Sequence, residues 1–182
     1  MLANVVKVDS VGIAANTSSI CSSLVGGAAS GFVAQKPGTN GLRVSTMAKP
    51  EDAAATFASL KDQAAVAVLF GGQVPPEENA AMVRALFAEL ARAQYAGPVF
   101  LHVAVFGGKM VEKAALADPA IEKYLAGKHN VFAVTVNGEA GKALVHQVAF
   151  KEGMQSSAKV VHEASMNEQW LTLFKRSLIK RS

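Results

Sequence analysis

Apolar residues along this chain follow two rhythms. From Ala64 to Phe70, and again from Val99 to Phe106, they run almost unbroken. Runs of that length suit parallel strands covered on both faces. Elsewhere they recur at helical spacing: Met82, Val83, Leu86, Phe87 and Leu90 form one stripe, with Arg84, Glu89 and Arg92 away from it. Pro75, Pro76, Glu77 and Glu78 open that helix, and Pro50, Glu51 and Asp52 open a shorter one, placing acid where the helix dipole favours it. Met110 to Ala126 is helical in character, with a break expected around Asp118 and Pro119.

Leu42 to Met47 predicts a short strand, and Val131 to Val136 and Lys142 to Phe150 predict two more. Only NGEAG lies between the last two, too short for a crossover helix, so they must form an antiparallel hairpin. The chain is expected to close with a long helix over about Ser157 to Ile179.

Residues 1–48 break these rhythms. They are nearly free of acid, rich in Ser, Ala, Gly and Thr, and end in GLRVSTMAKP. That composition is like an organellar transit peptide, with processing near Met47 or Ala48; the alternatives are an ordered arm that packs on a neighbour, or a flexible tail. Within this stretch NVVKV, Asn4 to Val8, has the composition of a strand. The expected plan is an N-terminal extension over residues 1–48 and an α/β domain over residues 49–182. Localisation follows the same fork: plastid or mitochondrion with a transit peptide, cytoplasm without one.

Over residues 41–180 the order strand-helix-strand-helix-strand-helix-strand-strand-helix resembles the thioredoxin fold. The resemblance implies a three-layer sandwich with a mixed central sheet. A flavodoxin-like doubly wound sheet is the competitor, and it would want another crossover helix where NGEAG allows none. In thioredoxins the redox cysteines follow the second strand; Gly71-Gly72-Gln73-Val74-Pro75-Pro76-Glu77 stands there and holds no cysteine. The family's cis-proline before the fourth strand is matched by His129 and Asn130. The resemblance therefore implies a redox-inactive member, and such members often serve as binding modules or as subunits of assemblies.

Composition narrows the chemistry further. A chain of 182 residues, 51% hydrophobic and 18% charged, suits one globular core. Its single cysteine, Cys21, excludes an intrachain disulfide framework, a thiolate zinc site and a two-cysteine redox cycle within one chain. No apolar run reaches about 18 residues, so no transmembrane helix is predicted. The net charge of +4 divides into +3 over residues 1–50, −3 over residues 51–174 and +4 over the final turns. The acidic middle argues against nucleic-acid binding by the body of the protein.

Candidate sites are few. Two Gly-Gly turns, in VAVLFGGQVPPEE and HVAVFGGKMVEK, suggest parallel strands meeting helices in the same way. At the first, Glu77 and Glu78 would repel an anion. At the second, Gly107, Gly108 and Lys109 are the better anion contact, although they lack the spacing of a phosphate loop. His102 reads as a buried neutral histidine with one hydrogen-bond partner. No nucleophile, base, metal or cofactor site is predicted. At the C-terminus Trp170, Leu171, Phe174 and Leu178 form an apolar ridge flanked by Lys175, Arg176, Lys180 and Arg181. That ridge suits packing on the sheet or docking to a protein, with an acidic membrane surface or RNA as further options for its basic end. The expected function is a non-catalytic protein-binding module, a structural or adaptor subunit working through protein partners or further copies of itself. The alternative is a small-ligand (anion or phosphate) binding protein or enzyme using the Gly-rich turns.

Overall fold

The computed structural model describes residues 7–18 and 41–166, together with Val5 and residues 25–27. Its centre is a sheet of seven strands: β1 (Val11–Asn16), β2 (Leu42–Met47), β3 (Ala65–Leu69), β4 (Val99–Leu101), β5 (Val131–Asn137), β6 (Lys142–Lys151) and β7 (Met154–Ser165). In space they follow the order β2-β1-β3-β4-β5-β6-β7. The first five run parallel, and β6 and β7 extend the sheet antiparallel. A 3-10 turn at Pro50–Asp52 leads into α1 (Ala53–Leu60), followed by α2 (Pro76–Arg92), α3 (Val103–Gly107), α4 (Met110–Ala117) and α5 (Pro119–Ala126).

Local signals explain the helices. Pro76 fills the first position of α2, where no amide partner is needed, and Glu77 and Glu78 occupy its first turn. Asp118 ends α4, and its carboxylate accepts from the Ala120 amide at 2.8 Å to start α5. α1, α2, α4 and α5 pack on one face of the sheet, where Phe57, Leu86, Val111 and Ile121 meet Val66, Val68, Leu101 and Val131. The other face carries Ile13, Ala67, Phe100 and Phe132, with Val5 and Val25 against it. Val25 belongs to the β1–β2 connection, which steps along the sheet in the opposite direction to the later crossovers. A right-handed crossover in that direction lies on the opposite face.

The fold is thus α/β with a mixed sheet, as the sequence implies, but three elements differ from expectation. First, Val11–Asn16, from within the stretch set apart as an extension, is an inner strand. It is buried at every position and hydrogen-bonded to β2 on one side and β3 on the other. An element-for-element match to thioredoxin over residues 41–180 has no place for it. With β1 included, the parallel strands run 2-1-3-4-5, the order of flavodoxin-like doubly wound sheets. NGEAG needs no crossover helix, because it begins the antiparallel extension.

Second, the apolar run Val99–Phe106 is not one strand. β4 ends at Leu101 and α3 begins at Val103, with Val105 buried. A continuous apolar run is compatible with either buried state. Third, residues 157–165 belong to strand β7, not to a helix. Glu152 (φ 54°) and Gly153 (φ 75°) form a two-residue turn that folds β7 back on β6. The rest of the expected final helix lies outside the described residues.

Removing residues 1–48 would delete β1 and β2 and strip one edge from β3. A chain starting at Met47 or Ala48 is therefore expected to show no cooperative thermal transition by circular dichroism, whereas the full chain melts cooperatively. A cooperative melt of the shortened chain would contradict this placement of β1. In the full chain, Ile13→Ala should cost about 2–5 kcal/mol in urea unfolding.

Candidate functional site

The carboxyl ends of β1, β3 and β4 converge at one edge of the sheet. β1 finishes in Asn16, β3 runs into Phe70-Gly71-Gly72, and β4 runs into His102. Because β1 and β3 feed connections to opposite faces, their loops part here, and this is where doubly wound sheets open a crevice.

A buried amide pair occupies that point. Asn16 is 1% exposed and Asn79, in the first turns of α2, is 2% exposed. Asn16 Nδ2 donates to the Gly71 carbonyl at 2.6 Å and to Asn79 Oδ1 at 2.7 Å, while Asn79 Nδ2 donates to the Val74 carbonyl at 3.0 Å. Asn16 Oδ1 accepts from the Ser18 amide at 3.3 Å, and the Ser18 hydroxyl reaches the Gly71 carbonyl at 3.4 Å. One polar junction thus fixes the end of β1, the β3–α2 loop and the start of α2. The loop's path needs glycine: Gly71 has φ 155° and Gly72 φ 81°, and a Cβ on Gly71 would sit 3.1 Å from that of Ala104.

His102 borders the same edge. Its Nδ1 accepts from the Ala104 amide at 3.4 Å, capping α3. Burial lowers its pKa, outweighing a hydrogen bond to the Phe70 carbonyl that favours the proton. The neutral ring expected from the sequence is therefore present, at a strand end and half-buried rather than inside a strand. The start of α2 offers little to an anion: Pro75 and Pro76 lack N–H donors, and Glu77 and Glu78 add negative charge.

The second Gly-Gly turn does not repeat the first. Gly107 ends α3, Gly108 follows it, and the left-handed position falls on Lys109 (φ 52°), which begins α4. The turn joins two helices instead of a strand and a helix. Lys109 lines a shallow groove with Phe106, Glu112, Phe150 and Gln155, whose volume of about 10 Å³ holds roughly one water. Glu112 accepts from the Gln155 amide there at 2.9 Å, so the groove also carries a carboxylate. Gly107, Gly108 and Lys109 thus lie together, beside a space far below the few hundred Å³ typical of ligand pockets. The expected docking residues Trp170, Leu171, Phe174, Lys175, Arg176, Leu178, Lys180 and Arg181 lie outside the described residues, as does Cys21.

At the opposite, amino edge of the strands a second polar cluster is structural. Lys128 Nζ donates to the Tyr95 and Gly97 carbonyls, both at 2.8 Å, and lies 5.5 Å and 5.1 Å from the ring centroids of Tyr95 and Tyr124. Tyr124 Oη donates to the Tyr95 carbonyl at 2.9 Å, and Tyr95 Oη to the Gln63 carbonyl at 2.7 Å. Burial pushes Lys128 down to about 8 and Tyr95 up to about 12, and it raises Tyr124 as well. The two carbonyls and the two ring faces favour the ammonium and oppose the shift at Lys128. Among the described residues no three His, Cys, Asp or Glu side chains group as a metal site, and no helix is long and apolar enough to cross a membrane.

A family model described as "Uncharacterized protein" matches residues 1–173. The chain belongs to that family. No curated protein and no solved structure matches it. The family match crosses residue 48 without a break, as the sheet does.

Sequence reasoning missed Asn16 and Asn79, though both leave a trace. Asn16 is the one strongly polar residue ending the apolar run VGIAAN. Asn79 lies in register with Val83, Leu86 and Leu90 on the buried stripe of α2. A polar residue on an apolar stripe is the more informative kind of exception.

Asn16→Ala would take from Asn79 Oδ1 its buried donor and from the Gly71 carbonyl one of its donors. A loss of about 1–3 kcal/mol is expected in denaturant unfolding, and Asn79→Ala added to it should cost little more, since the pair acts as a unit. Additive losses would contradict that coupling. Stability should also vary with pH in two stages. Between about 8 and the unfolded lysine value of 10.5 the unfolded chain binds the extra proton at Lys128, so stability rises with pH. Above pH 10 the unfolded chain releases tyrosine protons that the folded chain holds to about 12, so stability falls. Urea midpoints from pH 7 to 12 check both limbs: Lys128→Met should flatten the rise, and Tyr95→Phe should reduce the fall.

Proposed function

We propose that the chain is a small-ligand binding protein whose site is the carboxyl edge of the sheet, between the ends of β1 and β3. The Asn16–Asn79 junction carries this reading. Burying amides is costly unless they are hydrogen-bonded, and two of the four buried polar residues among the described residues meet at the point where the strand order reverses. That is also where doubly wound sheets bind ligands. The groups beside it are the Gly71–Gly72 main chain, the Ser18 hydroxyl and the neutral His102 ring. With Glu77 and Glu78 at the start of α2, they favour a neutral or cationic polar molecule over phosphate. His102 spends its ring nitrogens on the Ala104 amide and the Phe70 carbonyl, which suits positioning more than proton transfer, so the reading is binding rather than turnover.

The protein-binding module read from the sequence, with its redox-inactive thioredoxin-like scaffold, is the second reading. The observation in its favour is the exposed outer strand β7; its expected docking ridge at residues 170–181 lies outside the described residues.

Thermal-shift measurements on the full chain discriminate the two. Uncharged and cationic metabolites such as nucleosides, sugars, amino acids and polyamines should include a compound that raises Tm, whereas inorganic phosphate should not. A ligand at about a hundred times its Kd stabilises by about 2.7 kcal/mol, a shift of several degrees in a domain of this size. His102→Gln should weaken that shift. Stabilisation by phosphate, or by none of these compounds, would overturn the proposal.

A further inference from the structure

β7 forms one edge of the sheet and runs for 12 residues, exposed at every position except His162 and Ala164, which are half-buried. Met154 (44% exposed), Val160 (42%) and Val161 (40%) lie on it, three of the five large apolar side chains that stand exposed among the described residues. An edge of this kind presents a row of main-chain donors and acceptors to a further strand.

The pairing register shows what each face of that edge offers. Lys159 stands opposite Gln147 and His162 opposite Val145, on the sheet face that carries Phe100 and Phe132. Val160 stands opposite His146 and Ala158 opposite Val148, on the helix-covered face. At its middle the edge is thus basic on one face, at Lys159, and apolar on the other, at Ala158 and Val160. The acid on the helix side, Glu163, is held by Lys142 Nζ at 2.8 Å, which leaves Lys159 to set the sign of the edge.

A second copy fits this edge poorly. Antiparallel pairing centred on Val161 would align Lys159 with Glu163 by count. The register shift at Val145/His146 moves those two side chains to opposite faces, and Glu163 already has its cation. The register shifts and Lys159 are also features that guard edges against indiscriminate pairing. Such a guard admits a strand that answers the lysine and disfavours others.

We propose that β7 is the docking edge for an extended segment of another protein, which adds as a further strand with carboxylates facing Lys159 and apolar side chains facing Val160. It is independent of the carboxyl-edge ligand site.

The probe is a decapeptide of alternating Val and Glu, compared with one of alternating Val and Lys, added to the isotope-labelled full chain. Amides within residues 157–163 that point away from β6 should gain about tenfold protection from exchange with the Val-Glu peptide and little with the Val-Lys peptide. Lys159→Glu should invert that preference while leaving Tm unchanged, because the site is exposed. Absence of protection at β7, equal protection by both peptides, or protection confined to other strands would overturn the proposal. So would peptide binding that requires prior removal of residues 167–182, which would make the chain's own end the occupant. A dimer in sedimentation that Val160→Lys abolishes would assign the edge to a second copy and overturn it equally.

Discussion

The structure depends on one strand being hydrogen-bonded on both sides. β1 is six residues long, buried throughout, and both β2 and β3 take their positions from it. Leu42–Met47 can be an edge strand only because β1 separates it from β3, and β3 can be central only because β1 completes its other side. Small residues make this possible. VGIAAN brings three residues without large side chains into a layer covered on both faces, where Leu60 lies close over Gly12. A chain reversal of direction along the sheet then follows, since the crossover from β1 to β2 and those from β2 onward must lie on opposite faces.

That reversal is also where buried polar side chains gather. Where the connections part, main-chain groups at strand ends would be left without partners, and the fold meets the need with side-chain amides. Asn16 sits at the last position of β1 and Asn79 on the buried stripe of α2, so exchanging either for an apolar residue removes a buried hydrogen bond from the other and one from the β3–α2 loop. The amino edge solves the corresponding problem with a cation: Lys128 gathers the Tyr95 and Gly97 carbonyls under two aromatic rings. Amides on one edge and a caged ammonium on the other give the two ends of the sheet different electrostatic character.

Much of the fold was legible wherever a period or a terminator was strong. The stripe of α2, the Asp118–Pro119 break and the NGEAG hairpin all appear where their residues predict. β1 was not legible, because glycine and alanines give weak strand propensity and the surrounding Ser-rich stretch reads as a targeting segment. The end of β4 was hidden because an apolar run does not distinguish a buried strand from a buried helix. β7 is hidden because the apolar spacing of Trp170, Leu171, Phe174 and Leu178 continues as a helical pattern back over the residues that follow the Glu152-Gly153 turn, whose left-handed backbone makes a hairpin. Of the candidate sites, Gly107, Gly108 and Lys109 were found as a group, but the glycine pair that matters most to the carboxyl edge is the earlier one, and its meaning depends on a strand the sequence did not reveal.

Native-state hydrogen exchange resolved over residues 11–16 tests the central placement most directly. An inner strand bonded on both sides opens only with the whole domain, so its amides should exchange at the slowest rate in the protein, with the free energy of global unfolding. Exchange of these amides as fast as those of the exposed edge strand β7 would contradict it.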